Sequence, residues 1–322
     1  MSGSGLVGGV PLVEVVRSGV VECVHHGSLV ALDPDGHPVL SVGSVDTPVF
    51  PRSSNKPMQA VGMMRSGLDL DGANLAIAAA SHSGEVEHVE RARALLELAG
   101  LGTDALLCPP ALPVQEAART AVLRSGGGPE RIYMNCSGKH AAMLLTCVRA
   151  GWSTENYVAP EHPLQQAIRA AVEDLAGEKV PAIGVDGCGA PIFALTLTGL
   201  ARGFAALVTA PVGSAELRVA DAMRAHPYLV AGTGREDSLL MEAVPGLLMK
   251  GGAAGVHAAA LASGAAVALK VDDGAASPRV PLLAAALARL GADPAQLAAA
   301  QPEQVLGGGQ VVGATRVLAG AF

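Results

Sequence analysis

Ser28-Leu-Val-Ala-Leu-Asp-Pro-Asp-Gly-His-Pro-Val-Leu-Ser-Val42 reads as two short apolar runs on either side of a turn. In Asp33-Pro-Asp-Gly36 the proline presets φ, the aspartates accept bonds from nearby backbone N–H groups, and the glycine takes the left-handed conformation. Residues 28–32 and 38–42 are therefore expected to pair as an antiparallel hairpin. Upstream, Val13, Val15, Val16 and the run Val20 to Val24 continue the β-branched pattern. Downstream the period changes. Residues 85–98 place Val89, Ala92, Leu95 and Leu96 opposite charged positions, which predicts a helix with Ser83 as its N-cap. Residues 139–149, 163–175, 215–225 and 281–290 read the same way, and Pro57 suits the first turn of an earlier helix. Apolar runs with β-branched residues return at 182–185, 265–271 and near 310–312. Strands, then helices, then strands predict a mixed α/β fold: a central, mainly antiparallel sheet closed by both chain ends, with flanking helices and a helical lobe. With no repeat and no long linker, residues 1–10 are expected to be a flexible tail. The expectation for residues 11–322 is one unit of two interlocked lobes, the helical one over roughly 57–180.

Composition narrows the function. The chain has 322 residues, half of them hydrophobic and 16% charged, with a net charge of −7. Aromatic residues are only 2%, so stacking platforms for nucleic acid are missing, and the excess of acidic residues points the same way. A mean hydropathy of +0.39 excludes disorder. The longest uncharged stretch, residues 251–269, is mostly Ala and Gly, interrupted by His257 and Ser263. It reads as buried strands and turns, not a membrane span, so no membrane partner is expected. The segment Met1-Ser-Gly-Ser-Gly has no Lys or Arg ahead of a short apolar run, unlike a secretory signal, which predicts a cytoplasmic protein. Its five cysteines are then free thiols or ligands.

Five segments carry chemistry. Arg52-Ser53-Ser54-Asn55-Lys56 contains Ser-x-x-Lys where a loop enters a helix, and three residues is nearly one turn, so amine and hydroxyl can be neighbours. Ser81-His82-Ser83-Gly84 follows an apolar run and can present hydroxyls at a cleft. In Asn135-Cys136-Ser137-Gly138-Lys139-His140 the Gly-Lys pair is not a phosphate loop, because Tyr133 stands where a glycine is required. Cys136 and Lys139 share a helical face, and Cys188 in Asp186-Gly-Cys-Gly189 offers a second thiol for a soft metal. Asp186 sits in a turn after an apolar strand, a common place for a substrate-binding carboxylate. Gly232-Thr-Gly-Arg-Glu-Asp-Ser238 lacks the third glycine of a dinucleotide fingerprint and reads as a turn and helix cap, or as an arginine poised for a carboxylate. Lys250-Gly-Gly252 ends a short strand. Ser-x-x-Lys early and Lys-x-Gly late is also the order of penicillin-recognising serine enzymes, and a non-enzymatic metal or amino-acid sensor is the other competing reading.

Together these segments, with Val21-Glu-Cys-Val-His-His-Gly27 and Lys270-Val-Asp-Asp-Gly274, resemble the asparaginase II family of the Rhizobium type over about residues 11–322. The resemblance implies a fold similar to serine β-lactamases and glutaminases, and an L-asparaginase that releases aspartate and ammonia using two Ser–Lys pairs. It implies that Ser53 pairs with Lys56, and Ser81 with Lys250 or else Lys270. It further implies Zn2+ at Cys136, Lys139 and Cys188, no organic cofactor, and a homodimer. His82 and Asn135 lie in its motifs and are expected to touch substrate. A free amino acid needs receptors of both signs: Arg52 or Arg235 for the α-carboxylate and Asp186 for the α-amino group. Lys56, Lys139 and Lys250 held together would depress one another's basicity, which is how one becomes neutral enough to act as a base.

Overall fold

A computed structural model describes residues 8–322. The strands are β1 (Val10–Arg17), β2 (Val20–Leu32), β3 (Pro38–Val42), β4 (Ile183–Val185), β5 (Pro191–Phe193), β6 (Leu248–Gly251), β7 (Val256–Ala260), β8 (Ala266–Val271), β9 (Gln304–Gly307) and β10 (Gln310–Val317). Between β3 and β4 lie α1 (Lys56–Arg65), α2 (Gly72–Ala78), α3 (Val86–Leu98), α4 (Glu116–Arg124), α5 (Ser137–Ala150) and α6 (Pro163–Ala176). Between β5 and β6 lie α7 (Leu197–Thr209), α8 (Ala215–Ala225), α9 (Pro227–Val230) and α10 (Glu236–Ala243). The last helices, α11 (Arg279–Arg289) and α12 (Pro294–Leu297), precede β9.

The main sheet is antiparallel in the order β6-β7-β8-β2-β1-β10-β9, with β3 paired to β2. The opening hairpin is present, with Leu29 opposite Val42 and Leu32 opposite Pro38. The Asp33 carboxylate accepts the N–H groups of Asp35 and His37 at 3.0 and 2.8 Å, which fixes the turn. Both chain ends close the sheet through β1 and β10, where Val13 faces Val317. The uncharged stretch becomes the β7–β8 hairpin, buried along β7 and most of β8 because α7 covers it. Small residues let the helices approach closely: a Cβ on Gly62 of α1 would stand 2.7 Å from the Cα of Ile168 in α6.

Two local expectations differ. Residues 1–7 of the expected tail lie outside the described residues, but order begins before residue 11: Gly9 N–H donates to Asp272 at 2.7 Å and Val10 opens β1. The N-cap of α3 is Glu85, not Ser83. Gly84 adopts φ +75, which turns the chain between them, and the Ser83 hydroxyl donates to Ala231 O at 2.6 Å instead.

Candidate active site

The site forms where the start of α1, the ends of α2 and β4, the start of α5 and the end of β6 meet. A tight 3-10 turn at Arg52–Asn55 feeds α1. Arg52 takes φ +54, a left-handed conformation that costs a non-glycine residue on the order of 1 kcal/mol. Gly252 explains its own residue type: a Cβ there would meet Pro51 O at 2.6 Å and Ser54 N at 3.2 Å. Gly252, two residues after Lys250, thus lets the chain leaving β6 press against the Ser53 turn. On the far side, the Gly232-Thr-Gly loop docks on the Ser81 segment, because the Glu85 carboxylate accepts Thr233 N–H and Oγ1–H at 2.9 and 2.6 Å.

The lysines define the centre. The chain has five, and Lys56, Lys139 and Lys250 are each only 1% exposed, which is rare for lysine unless it is paired. Lys56 Nζ donates to Ala80 O at 2.6 Å, to Ser81 Oγ at 2.9 Å and to Cys136 Sγ at 2.9 Å. These three partners match the three N–H donors of an ammonium. The amine bonded to Ser81 is therefore that of Lys56, not Lys250 or Lys270. Lys270 instead donates to Val271 O. Lys56 is drawn away from Ser53, whose hydroxyl is half-buried and forms no hydrogen bond among the described residues. Lys250 donates to Gly251 O at 2.8 Å and lies 3.7 Å from Asp237. Burial, then Lys56 and Arg235, push Lys250 down to about 8, against the opposing pull of Asp237.

The two thiols Cys136 and Cys188 lie in one cluster with Lys139. Lys139 Nζ donates to Cys188 Sγ at 3.3 Å, and Cys136 S–H donates to Asn135 Oδ1 at 3.0 Å. The neighbouring Cys136, and then Lys139, hold Cys188 well below the usual thiol range, while Cys188 and burial push Cys136 above it. Burial pulls Lys139 down, but Cys188, Cys136 and Asp186 outweigh it and the net shift is upward. Two soft sulfurs of the kind zinc takes converge here beside an amine held as an ammonium, which would have to give up its proton before it could act as a donor.

Among the expected substrate contacts, Arg52 Nε donates to Asp186 Oδ1 at 2.7 Å, and Gly187 N–H donates to the same oxygen at 2.9 Å. Arg52 also lines a cleft of about 570 Å³ with Phe50, Ala254 and Lys270. Asn135 joins the centre through Cys136 and through its carbonyl, which accepts His82 N–H at 3.0 Å. Arg235 caps α10, with Nε 3.8 Å from Glu236. His82 is fully buried with both nitrogens engaged by protein, by Ser137 Oγ at 3.0 Å and Gly84 N–H at 3.2 Å. Burial, then His88 and Lys56, hold it well below its ordinary pKa, so it is a neutral strut under the loop.

The family model for L-asparaginase II matches residues 13–317, nearly the whole chain. The chain belongs to the L-asparaginase II family. Membership places it among amidohydrolases. No curated protein matches the sequence. Solved structures similar to this L-asparaginase II chain include Mglu in its native form, at 16% identity and a TM-score of 0.34, covering 77% of this chain and 59% of that one. They also include Mglu in its tris and glutamate form, at 14% identity and a TM-score of 0.35, covering 85% and 61%. A third is a putative beta-lactamase from Bacteroides dorei DSM 17855, at 15% identity and a TM-score of 0.40, covering 88% and 93%. The chain thus spans less than two thirds of the length of the Mglu chains it matches.

The candidate site also holds residues that the sequence did not mark as candidates for chemistry. Asp237 of α10 is buried and reaches Gly251 N–H at 2.9 Å and His257 Nε2 at 2.6 Å. Arg279 donates to Gly252 O at 2.9 Å and also bonds Glu236. The one available signal was His257 itself, a polar residue inside an apolar strand.

Proposed function

We propose that this amidohydrolase cleaves the side-chain carboxamide of L-asparagine, giving L-aspartate and ammonia, through its serine hydroxyls and lysine amines. The observation that carries the reading is the convergence of three buried lysines, from a chain of five, around Ser81 and the Ser53 turn. Burying an ammonium costs several kcal/mol, an expense difficult to account for by packing alone. A serine needs a base to become a nucleophile, and an amine lowered to about 8 is substantially available near neutral pH.

In the reaction, one of Ser53 and Ser81 attacks the carboxamide carbon and its proton passes to a lysine amine. The C–N bond breaks and ammonia departs carrying that proton. Water then cleaves the acyl-serine ester, freeing aspartate and restoring the hydroxyl. The other serine and the remaining lysine amines relay the proton or hold the water. Arg52 binds the α-carboxylate and Asp186 the α-ammonium, so a zwitterion exchanges their mutual ion pair for one of its own with each. Arg235 and Asn135 stand near the same centre as supporting polar groups.

When zinc is carried, Cys136 and Cys188 would hold it, joined by Lys139 once that amine gives up its proton, and it would supply positive charge that keeps both sulfurs as thiolates. The reading includes no organic cofactor. It extends to a homodimer, which the exposed Val20, Val21, Leu306 and Val311 on the β2 and β9–β10 strands support. It also extends to the cytoplasm, where five free thiols stay reduced. No described helix is long and apolar enough to cross a membrane. The test is ammonia and aspartate release by the purified protein from L-asparagine, with L-glutamine in parallel. Release from asparagine is expected. Ammonia from neither amide overturns the reading.

A further inference from the structure

The environment of Lys250 contains a second buried polar group, an Asp237–His257 pair that twenty residues of sequence separate. Asp237 is 4% exposed and His257 is not exposed at all. The Asp237 carboxylate receives His257 Nε2 at 2.6 Å on Oδ1 and Gly251 N–H at 2.9 Å on Oδ2, the oxygen that faces Lys250 Nζ at 3.7 Å. The strand register creates this meeting, because β6 and β7 place His257 directly opposite Gly251, the residue after Lys250. The other ring nitrogen, Nδ1, is buried and has no hydrogen-bond partner among the described residues. A buried acceptor left unsatisfied costs about 1–3 kcal/mol, so packing alone would favour an apolar residue at position 257. We propose that Asp237 and His257 are positioning residues that hold the Lys250 amine at the active site and set its proton affinity. The part of this that concerns turnover rests on the amidohydrolase reading above; the effect on Lys250 itself does not.

Geometry divides the work. His257 and Gly251 N–H fix the carboxylate from two directions, and Gly251 O anchors the amine at 2.8 Å. The other groups acting on Lys250 are Lys56 at the start of α1, Arg235 before α10 and Cys136 before α5. Two of these are cations that favour the neutral amine, and Asp237 is the nearby carboxylate opposing them. Burial raises the Asp237 carboxyl, but His257, Lys250 and the Gly251 N–H hold it well below the usual carboxylate range, so it stays an anion. It therefore keeps Lys250 from becoming permanently neutral and able only to accept a proton.

Because the chain has five lysines, 13Cε-lysine labelling gives a spectrum of five side-chain signals, and Lys250→Arg assigns the one of interest. In the full-length wild type, Lys250 is expected to titrate near pH 8. In Asp237→Asn the midpoint should fall by at least one unit, and ammonia release should lose tenfold or more in kcat with KM changed less than threefold. His257→Leu should lose kcat likewise, and His257→Gln, whose amide N–H can still donate to Asp237, should restore most of it. An unmoved Lys250 midpoint in folded Asp237→Asn overturns the proposal. So does a His257→Leu variant with wild-type kcat, which decides the matter if Asp237→Asn does not fold. A shifted midpoint in a protein that never hydrolyses asparagine supports the positioning role and defeats only the choice of reaction.

Discussion

Lys250 titrates where an enzyme working near neutral pH can use it, because burial and two neighbouring cations disfavour its charged form. A lysine lowered to about 8 is protonated below that pH and neutral above it, so a rate that depends on the free amine climbs as pH rises and levels off beyond 8. We expect kcat/KM for asparagine to rise about tenfold per pH unit between pH 6 and 7.5, as a pH–rate profile would show. A profile flat over that range excludes Lys250 as the base. Asp186 makes a different kind of contact, a carboxylate bonded to Arg52 at 2.7 Å, and in the proposed reaction it receives the substrate ammonium. Asp186→Asn removes a charged hydrogen bond worth about 1.5–3 kcal/mol. It should cost about 10- to 100-fold in kcat/KM, chiefly through KM, as steady-state kinetics will show. At this scale the sequence was informative about which residues gather and uninformative about which partners they take. Ser53 and Lys56 are one turn apart, yet the Lys56 amine leans across to Ser81 and Cys136, because α2 and α5 both end or begin against it. Spacing along one segment cannot reveal a contact between three.

Elements deliver these residues through close approaches that only glycine allows. A Cβ on Gly138 would stand 2.5 Å from Ile77 O of α2, so Gly138→Ala must shift the start of α5 and with it Cys136 and Lys139. Gly62→Ala introduces a similar contact, 2.7 Å, but at the α1–α6 crossing. Overpacking of this kind costs about 1–3 kcal/mol. Both variants should unfold at lower urea concentration, whereas ammonia release should fall steeply in Gly138→Ala and stay near normal in Gly62→Ala. The hairpin at Asp33–Gly36 and the long helices were legible because each depends on local turn chemistry or a 3.6-residue period. The α3 cap was misread because Gly84 turns the chain between the two candidates and lends Ser83 to Ala231. Asp237 and His257 were not legible as a pair: twenty residues separate them, and only the β6–β7 register sets one against the other.

At the scale of the molecule, both chain ends build one sheet, so the site depends on residues far from it. β1 is paired on one side by β10 over Val13 to Arg17, and its inner residues Leu12 and Val13 are buried. A chain ending at Gln301 lacks β9 and β10 and leaves β1 as an unpaired edge. We expect it to aggregate on expression, as size-exclusion chromatography would show, although no active-site residue has been removed. The scarcity of aromatic residues also has a place in the account. A small polar amino acid needs charged receptors more than aromatic walls, and this chain supplies Arg52, Asp186 and three buried lysines around its two serines. The most direct test of Ser–Lys amide hydrolysis is steady-state ammonia release from L-asparagine by the wild type and by folded Ser53→Ala and Ser81→Ala. Turnover by the wild type, with a loss of at least a thousandfold in each variant, is the result predicted. A wild type that releases no ammonia, or a serine variant that turns over at the wild-type rate, would contradict it.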